Sequence, residues 1–258
     1  MQPHENIGAA IAAARKDGRT ALVPFITAGY PDPKTFAETL VSISRVGDVV
    51  EIGVPFSDPM ADGMTIQRSS FEAIKKGVSL RWIFDELDRA QDRVEAPLVM
   101  MSYLNPLLAF GYENLARRAA ATGVCAFIVP DLPLEESDEL RAALEAEGVG
   151  LIQLVTPATP KERIAKLAAA SRGFLYAVTV TGVTGGDTAL PTDLAKYLDA
   201  VSAASKLPVC AGFGIRRAAD VANVGKHAAG AIVGSALVEV LERGADPTSF
   251  LAGLRGPA

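Results

Sequence analysis

The chain has 258 residues, 25 of them basic and 30 acidic, for a net charge of −5, and 49% of it is hydrophobic. That length and apolar content suit one large core, and the mild acidity argues against nucleic acid or an anionic membrane as the main partner. Two cysteines, Cys125 and Cys210, lie inside apolar runs and read as buried free thiols. With only two histidines beside them, no metal site is expected. No secretory leader and no bilayer-length apolar stretch is recognisable, so the expectation is a soluble cytoplasmic protein.

In chain order, residues 4–16 read as a helix. The first apolar run, residues 21–27, follows it. Asp32-Pro33 opens a helix with Phe36, Leu40 and Ile43 on one face, because Asp32 can accept a free backbone N–H and Pro33 fits a first turn. The second run covers residues 48–54. Residues 64–94 exceed the needs of one crossover and read as two helices split near Gly77. The third and fourth runs cover 97–103 and 125–130. Residues 133–147 read as a helix with Glu135 and Glu136 in its first turn, stopped by Gly148. The fifth run is 150–156. Thr159-Pro160-Lys161-Glu162 has the pattern of a capping box, with Ile164, Leu167 and Ala168 as the buried stripe behind it. The last three runs cover 173–180, 207–213 and 229–234, and Asp246-Pro247 opens a final helix with Phe250, Leu251 and Leu254.

Each run is short, nearly continuous and rich in β-branched or aromatic residues, the pattern of strands covered on both faces. Eight such strands alternating with helices predict a (β/α)8 TIM barrel with an extra N-terminal helix and an additional helix after strand two. A doubly wound open sheet is the alternative. No linker, low-complexity tract or fixed-period repeat interrupts residues 1–258, so a single domain is expected.

A barrel directs attention to the C-terminal ends of its strands. Glu51 sits in the second apolar run, where an unpaired acid is costly to bury and suited to proton transfer if its pKa rises. Asp62 follows beyond Pro55, Pro59 and Gly53, although Asp-Gly is also a common turn and Asp58-Pro59 is equally at home in one. Tyr103 and Asn105 follow strand three, and Asp131 follows strand four. Tyr176 shares a face with Val178 in strand six, which suits either a hydroxyl offered to a ligand or plain core packing. Residues 181–188, with three glycines and three threonines, suit a lid or an ordinary flexible connection. Gly212-Phe213-Gly214-Ile215 and Gly234-Ser235-Ala236 end strands seven and eight and precede helices, an arrangement that favours a bound phosphate. Gly212-x-Gly214 is no dinucleotide fingerprint, since Arg217 stands where the third glycine would fall. Neither His4 nor His227 is at a strand end and no lysine closes a strand, which disfavours a histidine triad or a Schiff base.

Taken together, Val23-Pro24-Phe25-Ile26-Thr27-Ala28-Gly29, the run from Glu51 to Pro59 with Ala61-Asp62-Gly63, Thr65-Ile66-Gln67, Asp131-Leu132-Pro133, Gly182-Val183-Thr184-Gly185 and Gly212-Phe213-Gly214-Ile215 closely resemble the tryptophan synthase α-subunit family nearly end to end. The resemblance implies a carbon–carbon lyase that cleaves indole-3-glycerol phosphate to indole and glyceraldehyde 3-phosphate. It implies Glu51 as the general acid/base, Asp62 as acceptor of the indole N–H, and Tyr176 as a residue that orients the two acids. It further implies phosphate binding by Gly185, Gly214, Gly234 and Ser235, and an indole pocket lined by Phe25 and Tyr103. The chain itself would need no cofactor. Its partner would be a pyridoxal-phosphate β subunit in an α2β2 heterotetramer, met through Pro55, Asp58 and Asp131. Met64 for proline, Thr179 for serine and Gly186-Asp187-Thr188 depart from the family pattern. A free-standing lyase, a non-catalytic activator of the β subunit and, more distantly, another phosphate-binding barrel isomerase are the competing readings.

Overall fold

The computed structural model describes residues 2–179, 192–212 and 214–256. Among the described residues nine parallel strands form one sheet: β1 (Ala21–Thr27), β2 (Val50–Gly53), β3 (Leu98–Met101), β4 (Val124–Ile128), β5 (Gly150–Ile152), β6 (Leu154–Val155), β7 (Leu175–Val178), β8 (Val209–Gly212) and β9 (Gly230–Val233). Their order is β5-β4-β3-β2-β1-β9-β8-β7-β6. The two ends of that order are successive pieces of one extended segment, so the sheet curls into a barrel. The fifth predicted strand is thus split at Gln153. The Gln153 N–H is drawn out of the ladder to Ser171 Oγ at 2.9 Å, while its carbonyl still accepts from Tyr176 N–H at 3.0 Å.

The helices are α1 (Pro3–Lys16), α2 (Phe36–Ser44), α3 (Met64–Lys75), α4 (Leu80–Ala90), α5 (Leu104–Phe110), α6 (Tyr112–Ala121), α7 (Asp138–Ala146), α8 (Lys161–Ala170), α9 (Thr192–Ala204), α10 (Ala218–Gly225), α11 (Ser235–Glu242) and α12 (Pro247–Leu254). The additional helix after strand two is present, and α3 and α4 part at Gly77 with φ +82°. Asp32 caps as expected, but the turn it starts is a 3-10 turn that precedes α2. The crossover after β3 also holds two helices, broken at Gly111 with φ +83°. The capping box expected at Thr159 does not form. The helix begins one residue later than that pattern requires, with Pro160 at its cap, and Thr159 Oγ1 instead accepts the N–H of Thr156 at 2.9 Å.

Two apolar layers hold the barrel. Strand residues such as Leu22, Ile52, Met100 and Phe127 pack outward against the helices. Inward-facing Val23, Val49, Val99, Cys125 and Phe174 pack together with Ile7, Ile11 and Ala14 of α1. Most of these strand residues lie at or near the N-terminal ends of their strands, so the extra helix stoppers that end of the barrel. Ile7 and Ile11 are fully buried, worth about 2 kcal/mol each in removed apolar surface. The backbone N–H and Nδ1 of His4 both meet the carbonyl of Gly148, at 3.3 and 2.8 Å. Gly148 turns with φ +71°, and a Cβ there would lie 2.8 Å from Pro3. Among the described residues no helix is long and apolar enough to cross a membrane.

Candidate active site

With α1 closing one end, a cavity of about 340 Å³ occupies the other, lined by Phe25, Glu51, Asp62, Leu154, Tyr176, Ile232, Gly214, Gly234 and Ser235 among others. Glu51 pairs in register with Phe25 on one side and Val99 on the other. It is buried, and its Oε2 has no hydrogen-bond partner among the described residues. Burial, and then the nearby charge of Asp62, push its pKa up to about 8. Both effects disfavour the carboxylate, so Glu51 is held largely as the neutral acid at pH 7. Gly53, two residues on, leaves room for the Phe25 ring: a Cβ there would fall 2.4 Å from Phe25 Cζ.

Asp62 ends a loop fastened at several points. Val54 N–H reaches the Met101 carbonyl at 2.8 Å, Gln67 Nε2 donates to the Asp62 carbonyl at 2.8 Å, and Ala61 N–H donates to Tyr103 Oη at 2.8 Å. Tyr103 stacks on Phe56 with ring centroids 5.0 Å apart. Partial burial raises the pKa of Asp62, and a hydrogen bond from Tyr103 opposes that rise. The Tyr103 hydroxyl is itself pushed up to about 12, first by burial. Tyr103 is therefore a neutral donor behind Asp62. It is not among the cavity-lining residues, whereas Phe25 is.

Tyr176 and Val178 face the cavity, while Leu175 and Ala177, alternating with them on β7, are fully buried in the outer layer. Burial raises the Tyr176 pKa well above its ordinary value, with the Glu51 charge adding to it. Thr179, a departure from the family pattern, also lines the cavity and donates its hydroxyl to the Gly212 carbonyl.

The same cavity is lined by Gly214, with φ +49°, and by the Gly234–Ser235 turn that starts α11. The first-turn ladder of α11 begins with Leu237 and Val238 donating to the Gly234 carbonyl. The N–H groups of Ser235 and Ala236 precede that ladder at the positive end of the helix dipole, where an anion is favoured. Gly185 and the loop around it lie outside the described residues. Arg216 also lines this end. It escaped the sequence reading because a cation in a loop has no pattern to mark it beyond its place just after Gly214-Ile215.

Of the three residues expected at a partner surface, Asp58 and Asp131 are exposed and Pro55 is buried. Closing the loop onto the barrel tucks Pro55 beneath it and leaves Ser57, Asp58 and Met60 outside. Asp131 also accepts the Leu104 N–H at 2.9 Å, at the start of α5. Met60 and Met64, on either side of Asp62, are 86% and 76% exposed. Cys125 and Cys210 are buried free thiols. Among the described residues no cluster of three or more His, Cys, Asp or Glu could hold a metal ion.

The family model described as "Tryptophan synthase alpha chain" matches residues 11–252. The tryptophan synthase alpha chain of Nitratidesulfovibrio vulgaris strain DP4 is 43% identical over 242 residues, covering 93% of this chain and 94% of its own. That of Roseiflexus sp. strain RS-1 is 45% identical over 248 residues, with 95% of each chain covered. Among solved structures, a Mycobacterium tuberculosis tryptophan synthase chain superposes with a TM-score of 0.88 at 36% identity, over 97% of this chain and 98% of that one. The Legionella pneumophila tryptophan synthase α subunit gives 0.87 at 30% identity, over 99% and 97%.

Proposed function

The chain belongs to the tryptophan synthase alpha chain family, and from that premise we propose that it cleaves indole-3-glycerol phosphate to indole and glyceraldehyde 3-phosphate. The observation that carries the assignment is Glu51, a buried carboxyl with an unpartnered oxygen, held as a proton donor at the wall of the cavity. A purely structural acid would have its buried oxygen satisfied.

In the proposed mechanism Glu51 delivers its proton to C3 of the indole ring. The ring nitrogen becomes cationic, and its N–H is held by the Asp62 carboxylate, which stabilises the charge as it develops. Glu51, now a carboxylate, takes the proton of the hydroxyl on the adjacent side-chain carbon. The electron pair of that O–H forms the aldehyde C=O. The C–C bond breaks, and its pair returns to the ring to neutralise the nitrogen. Glu51 thus regains its proton, and no redox partner is needed. Each positioned proton transfer is worth about 10²–10⁴-fold. Tyr176 borders the two acids and orients them toward the substrate. Phe25, Leu154 and Ile232 supply the apolar wall for the indole ring. Gly214, Gly234 and Ser235, with Gly185, hold the phosphate through backbone N–H groups and so fix the scissile bond over Glu51.

The proposal extends to a pyridoxal-phosphate β subunit as consumer of the indole, in an α2β2 assembly in the cytoplasm. The exposed Met60 and Met64 beside Asp58 offer the apolar contact such a partner would cover. The test is indole release from indole-3-glycerol phosphate, with and without a cognate β subunit. Weak release alone and a large rise with the partner are expected. Strong release alone would favour a free-standing lyase. No release in either condition, with the β reaction still stimulated, would leave only an activator role.

A further inference from the structure

Arg216 is the one cationic side chain among the described residues that line the cavity. It follows Gly214-Ile215 and so stands at the end that the glycine turns form. Its guanidinium grips Glu239 end-on, with Nη1 on Oε2 at 2.7 Å and Nη2 on Oε1 at 2.9 Å. Glu239 lies four residues after Ser235 on α11, one helical turn from the N-terminus where the phosphate is placed. A guanidinium has five N–H donors, and this pairing uses two. Among the described residues the other donors make no hydrogen bond, so they can meet an anion without breaking the Glu239 pair. Glu239 is anchored in turn, since Thr65 Oγ1 approaches its Oε1 at 3.5 Å from α3, the helix that follows the Asp62 loop.

We infer that Arg216 is a specificity-determining residue that reads the charge of the substrate's phosphate, with Glu239 as the positioning residue that fixes its guanidinium at the head of α11. The inference rests on the proposed phosphate site and deepens it. A helix terminus and glycine N–H groups accept any compact anion, whereas a guanidinium fork favours a multiply charged oxyanion that can take two donors at once. Glu239, ionised by its pairing, offsets the cation when no ligand is bound, so Arg216 need not be buried with a bare charge. The side chain is about half exposed (47%), which suits ground-state binding more than stabilisation of the reacting atoms.

The test compares wild type with Arg216→Gln, Arg216→Lys and Glu239→Gln, each checked for an unchanged circular dichroism spectrum. With indole-3-glycerol phosphate as substrate, Arg216→Gln should raise KM about 10-fold and leave kcat within about 3-fold. Arg216→Lys should recover part of that loss, because it keeps the charge and loses the fork. Glu239→Gln should raise KM by a smaller factor at constant kcat. In parallel, protection from thermal unfolding by glycerol 3-phosphate, with glycerol as the uncharged control, should weaken in Arg216→Gln to the same degree. If KM and the protection constant stay within 2-fold, or if only Tm moves, the inference is overturned. A wild-type protein that does not turn over the substrate would sink the proposed reaction alone, and the glycerol 3-phosphate arm would still decide the role of Arg216.

Discussion

The hydroxyl of Tyr176 occupies the space that a side chain at Gly212 would need: a Cβ on Gly212 would lie 2.7 Å from Tyr176 Oη and 3.2 Å from its Cε1. Tyr176 sits on β7 and Gly212 ends β8, its neighbour in the barrel. Gly212→Ala should therefore push the ring toward the acids, since the tyrosine tip is the part able to yield. About a 10-fold fall in kcat with little change in Tm is expected from steady-state indole release and thermal melts. In the double variant with Tyr176→Phe, the closest atom is gone, so the two losses should be less than additive.

A buried acid has a stability signature as well as a kinetic one. The folded-state pKa of Glu51, about 8, lies above the ordinary 4.5. The contribution of this group is thus whole below about pH 4.5 and is lost as pH rises through about 8, on the order of a few kcal/mol in all. Glu51→Gln cannot ionise, so its stability should fall less than that of wild type between pH 6 and 9 in denaturant titrations. The same variant should lose at least about 10²-fold in turnover. Parallel stability curves for the two proteins would contradict the burial of an ionisable group here.

The rate should follow the two acids in opposite senses. In the proposed reaction Glu51 starts as the protonated acid, so kcat/KM should decline above about pH 8. In the same proposal Asp62 acts as the carboxylate, and burial raises its pKa, so the acid limb should lie above the ordinary aspartate range. Asp62→Asn should be slow and should lack that limb. A wild-type profile with no decline above about pH 8 would reject the role of Glu51, and an acid limb that survives in Asp62→Asn would reject that of Asp62.

Tyr103 offers a way to move one limb alone. Its hydroxyl accepts the Ala61 N–H and donates to Asp62, and that donation lowers the Asp62 pKa. Tyr103→Phe keeps the ring against Phe56 and removes both bonds. The acid limb should shift upward, the basic limb should stay, and stability should fall by about 1 kcal/mol. An unshifted acid limb in a pH–rate series would show that Tyr103 only packs.

The readability of this chain followed what each residue's neighbours could enforce. Strands buried on both faces must be continuously apolar, so their positions, and the anomaly of Glu51 within one, were plain. Gly214 and Gly234 were legible as the points where strands give way to helices, because sharp turns favour glycine. The split of the fifth strand at Gln153 was not, because it depends on Ser171, eighteen residues away. The family resemblance implies Tyr103 in the indole wall, yet Tyr103 is absent from the cavity lining and stands behind Asp62. The resemblance likewise implies Pro55 at a partner surface, and the loop buries it. The Thr159 pattern named a capping box, and Pro160 moved the start of the helix past it. Arg216 needed its partner Glu239, twenty-three residues on, before its place had meaning.

The stopper formed by α1 leaves the cavity beside Glu51 at the opposite end of the barrel among the described residues. On the proposed reaction, substrate and product would then pass the rim formed by the Asp62 loop and the glycine turns. For a product as greasy as indole, that rim is also where Met60 and Met64 stand uncovered. A subunit seated there would turn that rim into a private corridor, and the traffic of the reaction would then be set by docking rather than by diffusion into water.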